Sequence, residues 1–512
     1  MKARGIEGSE KQRDPAGVFG TKMIFGHQTM KPLLSLTVLV WLVASVAPAA
    51  GPAVRPNIVW LIADDLSPEL GAYGYPHVRT PHIDRLAAEG VRFNRAFTTA
   101  PICSTSRSAF ITGLHQTSIA CQHHRTEDPR PLPPGVRTLP EILRAAGYFA
   151  TNGQGPESTR WGKADYNFIF EPRTMYDGPD WRKRRPGQPF FAQIQLKYPH
   201  RPFGREPVTE ARHRDAPVPP IYPDHPLARR DWAGYLKNIE ALDAMVGEVL
   251  ADLEREGVAQ DTIVVFFGDN GRPHVRDKQW VYNGGLHVPL IVRWPGRIAP
   301  GTVREELVSM VDLAPTCLRL TGLDVPPVMQ GVAFLPEQHP RRTFVVGARD
   351  RAGDADDRIR SVRTARFNYI RNFRPELPYA QHSSYKEVQY PMLPLMRLLQ
   401  AEGKLTPAQA AFLAPRRPPE ELYDLENDPW ETRNLATLPE HAATLRDLRA
   451  KLEEWMRATG DQGGTPETKP TLAEIIADTR AKTYERPLQQ RGLSKNPTDA
   501  EMVRWWESYY RD

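Results

Sequence analysis

The chain has 512 residues, with 25% charged and 40% hydrophobic side chains, the balance of a globular protein and not of a disordered or fibrous one. Its formal net charge of +6, from 67 basic and 61 acidic residues, is small for that length, and no long basic run occurs. Nucleic-acid binding is therefore not indicated, whereas attraction of an anionic substrate is compatible with the excess.

Met30-Lys31 precedes an apolar run from Leu33 to Ala47, and Ala47-Pro48-Ala49 offers a small-x-small cleavage pattern. This order reads as a secretory signal. The run is shorter than the roughly 20 apolar residues of a membrane span. The expectation is an exported protein, periplasmic or secreted, with no stable membrane span after cleavage. Three cysteines then leave at least one thiol unpaired. Cys121 and Cys317 could pair with each other, and Cys103 is the one left out.

Further along, Asn57 to Ile62 is a continuous apolar run, fitting a buried strand, and Asp64-Asp65 follows it directly. Thr80-Pro81 opens a helix that Gly90 closes. Cys103-Ser-Thr-Ser-Arg107 leads into a predicted helix over Ser106 to Thr112, stopped by Gly113. Thr138 and Glu141 form a capping box, with Gly147 as the stop. Phe190 to Leu196 and Thr262 to Phe267 read as two further buried strands, and Gly268-Asp269-Asn270-Gly271 follows the second. Between them the steps Tyr235, Ile239, Leu242, Val246, Val249, Leu253 predict a helix from about Asp231 to Glu256. Residues 197–230 read as a loop over the sheet, Arg363 to Phe373 as strand-rich, 374–420 as irregular, and roughly 440–457 as a helix.

Strands alternating with helices predict an α/β fold: a large mixed, mostly parallel sheet flanked by helices, with a smaller C-terminal α+β subdomain. The expected division is 1–50 for an N-terminal extension and signal, 51–335 for a catalytic domain, 336–460 for the subdomain and 461–512 for a tail.

In open α/β sheets ligands collect at the carboxyl ends of strands. Asp64, Asp65, Asp269 and Asn270 at two such ends can offer four oxygen donors to one hard cation, and calcium takes 6–8 oxygens with flexible geometry. Zinc is disfavoured because no tight Cys/His spacing accompanies these acids. Taken singly, each pair is equally a cap or turn. Cys103 stands at a helix start, where unpaired N–H groups favour an anion, and Arg107 lies one turn along. A cysteine there is more commonly just a small buried hydrophobe.

Together these residues resemble a family. Asn57-Ile-Val-Trp-Leu-Ile-Ala-Asp-Asp and Cys103-x-x-Ser-Arg107 are similar to motifs of the type I sulfatases of the alkaline-phosphatase superfamily. The likeness continues through Lys163-Ala-Asp-Tyr-Asn, Tyr198-Pro-His200-Arg-Pro, Gly268-Asp-Asn-Gly, Val288-Pro-Leu-Ile-Val-Arg-Trp-Pro-Gly and Glu421-Leu-Tyr-Asp-Leu-Glu-Asn-Asp-Pro. It spans about residues 55–440, and its flavour is that of heparan N-sulfatase (sulfamidase)-like members. The resemblance implies an alkaline-phosphatase-like fold and hydrolysis of sulfate esters or N-sulfate groups of a carbohydrate.

It also implies Ca2+ held by Asp64, Asp65, Asp269 and Asn270 beside Cys103, the residue oxidised to formylglycine by a sulfatase-maturing enzyme. Arg107 matches the arginine supporting the formylglycine, Lys163 and Lys278 the residues gripping sulfate oxygens, and His200 the histidine near the leaving group. Arg276 stands close to Lys278 as a competitor for that role. A gem-diol can attack with one hydroxyl and expel sulfate by collapse through the other, which a plain serine or cysteine cannot do.

Two positions depart from the family pattern. Thr105 stands where the maturation signal has proline or alanine, and Asp165 stands where many members have a histidine. His124 is a candidate for the missing imidazole. Two other readings follow: a phosphate or phosphonate ester hydrolase of the same superfamily, and a non-catalytic binder of sulfated glycans. His115, His287, the aromatic end Trp505-Trp506 with Tyr509-Tyr510, and the run Arg182 to Arg185 fit packing or solvated loop as readily as a site.

Overall fold

An apolar run with no polar alternation has to be covered on both faces, and the first strand of the structure, a computed structural model, is covered in that way. β1 (Asn57–Asp64) is buried along its whole length. Ile58, Trp60 and Ile62 enter one core cluster while Val59, Leu61 and Ala63 enter another. Residues 22–26, 55–155, 158–205, 207–336 and 340–511 are described; the signal read at 30–49 lies outside them.

The main sheet adds β2 (Val91–Phe97), β3 (Phe149–Gly153), β4 (Phe190–Pro199), β5 (Thr262–Gly268), β6 (His287–Arg293) and β7 (Thr302–Ser309). Its seven strands run in the order β3-β4-β1-β5-β6-β2-β7. Only β6 is antiparallel to its neighbours, so the sheet is mixed and mostly parallel, as expected.

On one face lie α2 (Cys103–Thr112) and α3 (Leu139–Ala145), which follow α1 (Pro81–Ala88) of the opposite face. Trp60 centres the first face, edge-on to Phe110, Phe191 and Phe267 at ring separations of 5.2–5.8 Å. The other face is covered by α1 and by α4 (Pro226–Arg255), whose buried stripe includes Trp232, Ile239, Leu242 and Val246. A second, four-stranded antiparallel sheet, β8 (Val345–Arg349), β9 (Ile359–Arg363), β10 (Phe367–Asn372) and β11 (Glu420–Asp424), packs on a helix over Ala442–Thr459.

Several expected boundaries shift. The helix α2 begins at Cys103, not Ser106, because the chain turns helical directly after the extended Ile102. The long helix begins at Pro226 rather than Asp231. His225 caps it, accepting from the Leu227 N–H, and proline suits a first turn that needs no N–H donor. Residues 374–420 are not simply irregular: helices span Ser384–Gln389 and Met392–Ala401, with Pro391 and Pro394 confined to the start of the second, where proline is tolerated. The tail carries helices Leu472–Thr479, Arg486–Gln490 and Asp499–Tyr509. The Thr138–Glu141 capping box is present.

Cys121 and Cys317 do not pair. Cys317 Sγ accepts the Trp60 indole N–H at 3.3 Å. His287 stacks on Phe97 and bonds the Asn94 carbonyl, and Trp506 packs among core residues, so both serve packing.

His115 is buried edge-on against Trp455. Burial, with Arg342 nearby, pulls its ring down to about 3 from the usual 6.5. The unfolded chain takes up this proton near pH 6.5 and the folded chain does not until about 3, so stability is lost as pH falls through that window. The expected slope from this one residue is at most about 1.4 kcal/mol per pH unit. His115→Phe, which keeps a ring against Trp455 but cannot ionise, should flatten the fall in melting temperature on acidification to about pH 5. An unchanged slope contradicts the assignment.

Candidate active site

Parallel pairing in register brings the two acidic tips together. β1 and β5 align from Asn57 opposite Thr262 to Ala63 opposite Gly268, so Asp64-Asp65 and Asp269-Asn270 leave the sheet side by side. The Asp65 N–H donates to Asp269 Oδ1 at 3.0 Å, and Asn270 Nδ2 donates to Asp65 Oδ1 at 2.9 Å. Asp65 adopts a left-handed φ of 69°, uncommon without glycine, which turns its carboxylate back over the strand ends. On the other flank of β1, β4 ends at Pro199 opposite Asp64 and delivers His200 to the same edge.

α2 points its first residue at this cluster. Cys103 Sγ lies 3.6 Å from Asp64 Oδ1 and 3.8 Å from Asp65 Oδ1. Lys278 Nζ donates to both oxygens of Asp65 at 2.6 and 2.7 Å and approaches Sγ at 3.4 Å. Lys163 Nζ grips Asp64 in the same way, at 2.9 and 3.0 Å. Arg107 Nε donates to Asp269 Oδ2 at 2.9 Å and its Nη1 to Gln195 Oε1 at 2.7 Å. Asp64, Asp65, Cys103, Arg107, Lys163, His200, Asp269, Asn270 and Lys278 thus converge on one edge of the sheet. Arg276 does not compete with Lys278; it turns away to the carbonyls of Trp430 and Glu431.

The electrostatics follow from crowding these charges out of water. Burial opposes ionisation of Asp64, but Lys163, His200, Arg107 and Lys278 hold its carboxyl well below the usual range. Asp269 is pushed up to about 6 by burial and by Asp64, with Arg107 resisting. Burial raises the Cys103 thiol to about 12 in spite of Lys163 and Lys278. An unmodified Cys103 is therefore a thiol at neutral pH, not the thiolate that a cysteine nucleophile needs. His200 is lowered by burial, and its Nδ1 bonds the Arg201 carbonyl. A carbonyl only accepts, so Nδ1 carries the proton and Nε2, 3.7 Å from Asp65 Oδ2, is left for the site.

The donor set is one that can hold a metal ion. Asp64, Asp65, Cys103 and His200 place ligand atoms within 4.8 Å of one another. Asn270 Oδ1 is buried with no hydrogen-bond partner. A buried acceptor without a partner costs about 1–3 kcal/mol, and a cation among these oxygens would remove that cost.

Four residues that sequence reasoning missed also belong here. Gln195 spans Arg107 and Asn152. Arg125 binds Asp165 through Nε and Nη2, each at 3.0 Å, and the His124 imidazole lies close enough to Asp165 and Lys278 to feel both charges. Burial, with Arg125 beside it, holds His124 well below the usual histidine range. The Tyr385 ring lies 5.5 Å from Lys278 Nζ and 6.2 Å from the His200 ring. Lys386 Nζ donates to the carbonyls of Val275 and Lys278, both at 2.8 Å, and so braces the loop that carries Lys278. No local pattern marked any of the four.

The family model described as Sulfatase matches residues 56–323. An ulvan-active sulfatase of Formosa agariphila is 35% identical over 468 residues, covering 81% of this chain and 77% of that protein. Human N-sulphoglucosamine sulphohydrolase is 29% identical over 463 residues, covering 80% and 91%. Among solved structures, one in complex with its substrate D-glucosamine-2-N,6-O-disulfate aligns with a TM-score of 0.57 at 18% identity, covering 80% of this chain and 98% of that one. The phosphonate monoester hydrolase of Agrobacterium radiobacter aligns with a TM-score of 0.55 at 20% identity, covering 80% and 97%. At such identities the structural likeness speaks to fold alone.

Proposed function

The chain belongs to the sulfatase family, a hydrolase of sulfuric esters or N-sulfates, and on that premise we propose that it removes sulfate from a carbohydrate with a formylglycine made from Cys103 and a calcium ion. The observation that carries this reading is the position of Cys103 Sγ, at the mouth of a wholly buried helix, within 4 Å of Asp64, Asp65 and the Lys278 ammonium. Asp64, Asp65, Asp269 and Asn270 would hold the ion. When present, calcium and the aldehyde hydrate supply a Lewis acid for a sulfate oxygen and a geminal diol for attack on sulfur.

The remaining tasks fall to side chains of this chain. Lys163 and Lys278 would present fixed positive charge to the nonbridging oxygens, where charge develops. Arg107 keeps Asp269 oriented and ionised by their buried pair. His200 Nε2, its tautomer set by the Arg201 carbonyl, exchanges a proton with the departing oxygen or nitrogen. A sulfatase-maturing enzyme is the implied partner, and export through the signal at 30–49 is the implied route. Among the described residues no helix is long and apolar enough to cross a membrane.

The test has two parts: mass spectrometry of the Cys103-containing peptide from native-host material, and sulfate release against phosphate release from matched aryl esters. The expected results are an aldehyde at position 103 and preference for sulfate. Complete retention of the thiol, or preference for phosphate, refutes the reading.

A further inference from the structure

From Lys163 outward the side chains alternate in charge. Lys163 Nζ lies 2.9 Å from Asp64 and 3.6 Å from Asp165, and Asp165 takes the Arg125 guanidinium side-on. Asp64 (11% exposed), Lys163 (26%) and Asp165 (13%) are largely buried, whereas Arg125 at the end of the line is 57% exposed. Arg125 therefore sits on the rim of the site, one ion pair beyond the lysine that faces the scissile sulfate.

The rim is also built. The Arg125 N–H donates to Ser104 Oγ at 2.9 Å, which fastens this loop to the residue next to the nucleophile. Arg125 and Asp165 both adopt left-handed backbone conformations, with φ of 48° and 53°. Each such conformation is strained for a non-glycine residue and tends to persist where function holds it. Asp165 uses two of the five guanidinium donors, and the planar fork that remains suits a carboxylate or sulfate.

Resting on the sulfatase reading above, we propose that Arg125, positioned by Asp165, recognises a second anionic group of the substrate, a carboxylate or a second sulfate close to the one being removed. The protein would then select densely charged saccharides over those bearing a single sulfate. The departure from histidine at position 165 acquires a purpose: the carboxylate aims a rim guanidinium where an imidazole could present only one donor.

The experiment measures binding in a Cys103→Ser background, so that turnover and maturation do not enter. The ligand pairs are D-glucosamine-2-N,6-O-disulfate against its two monosulfates, and a sulfated uronate-containing disaccharide against its carboxyl-reduced form. The parent is expected to prefer the more charged member of at least one pair. Arg125→Gln should reduce that preference by about tenfold or more, the worth of a charge-assisted hydrogen bond. Asp165→Asn, which keeps the guanidinium but weakens its anchor, should reduce it partway.

Equal preference in parent and Arg125→Gln, or no preference or no binding in the parent, overturns the proposal. Sulfate release by the wild-type protein, measured alongside, judges the sulfatase reading separately: wild-type release of sulfate from both members of a pair that the parent binds with equal affinity sinks only the rim assignment.

Discussion

Cys103→Ser should reduce sulfate release by at least about 10⁴-fold, the scale set by removal of a covalent nucleophile. Serine is close to cysteine in size, and the site at the start of α2 is buried, so packing changes little. What changes is the chemistry. Serine carries one hydroxyl, so it cannot both attack sulfur and provide a second hydroxyl for release. The parent thiol is no substitute either, because burial holds it near 12. Thermal melting should stay close to wild type, which separates lost chemistry from lost fold. Turnover within about tenfold of wild type would show that position 103 does not carry the reaction.

Asp65→Asn should lower both calcium affinity and turnover, each by about 10- to 100-fold or more. The substitution isolates charge. Asparagine is isosteric and, with aspartate, among the non-glycine residues that best tolerate the φ of 69° found at this position, whereas alanine would add backbone strain. In the metal-free protein Lys278, 4% exposed, would lose its carboxylate partner. Removing one member of a buried pair costs about 3–5 kcal/mol, so the apo form should also melt earlier. Metal analysis of purified variant and wild type, with melting in the presence and absence of calcium, checks both halves. Wild-type calcium affinity in the variant would remove Asp65 from the ligand set.

The strands that build the site were legible because a parallel strand buried on both faces is written as a continuous apolar run. Asn57 to Ile62 and Thr262 to Phe267 read that way, and each was followed by its acidic pair. The residues missed share a different origin. Lys386 reaches the loop of Lys278 across 108 positions of sequence, and Arg125 reaches Asp165 across 40. Neither segment has periodicity: Lys386 falls where proline and scattered apolar residues obscured two helices, and Arg125 lies in a loop. α2 starts three residues before the expected Ser106, since Ser104, Thr105 and Ser106 are weak helix formers by propensity yet are helical and buried here.

By itself the sequence determined the layered α/β plan, the acidic tips, the helix that follows Cys103 and the family motifs, because burial pattern and motif spacing are written in neighbouring residues. Only the tertiary structure decided that the β1–β5 register sets Asp64-Asp65 against Asp269-Asn270, that Lys278 and not Arg276 enters the site, and that a guanidinium stands beside Asp165. These depend on how distant loops close over the sheet edge, where buried charges settle against whichever partner the packing brings within hydrogen-bond reach.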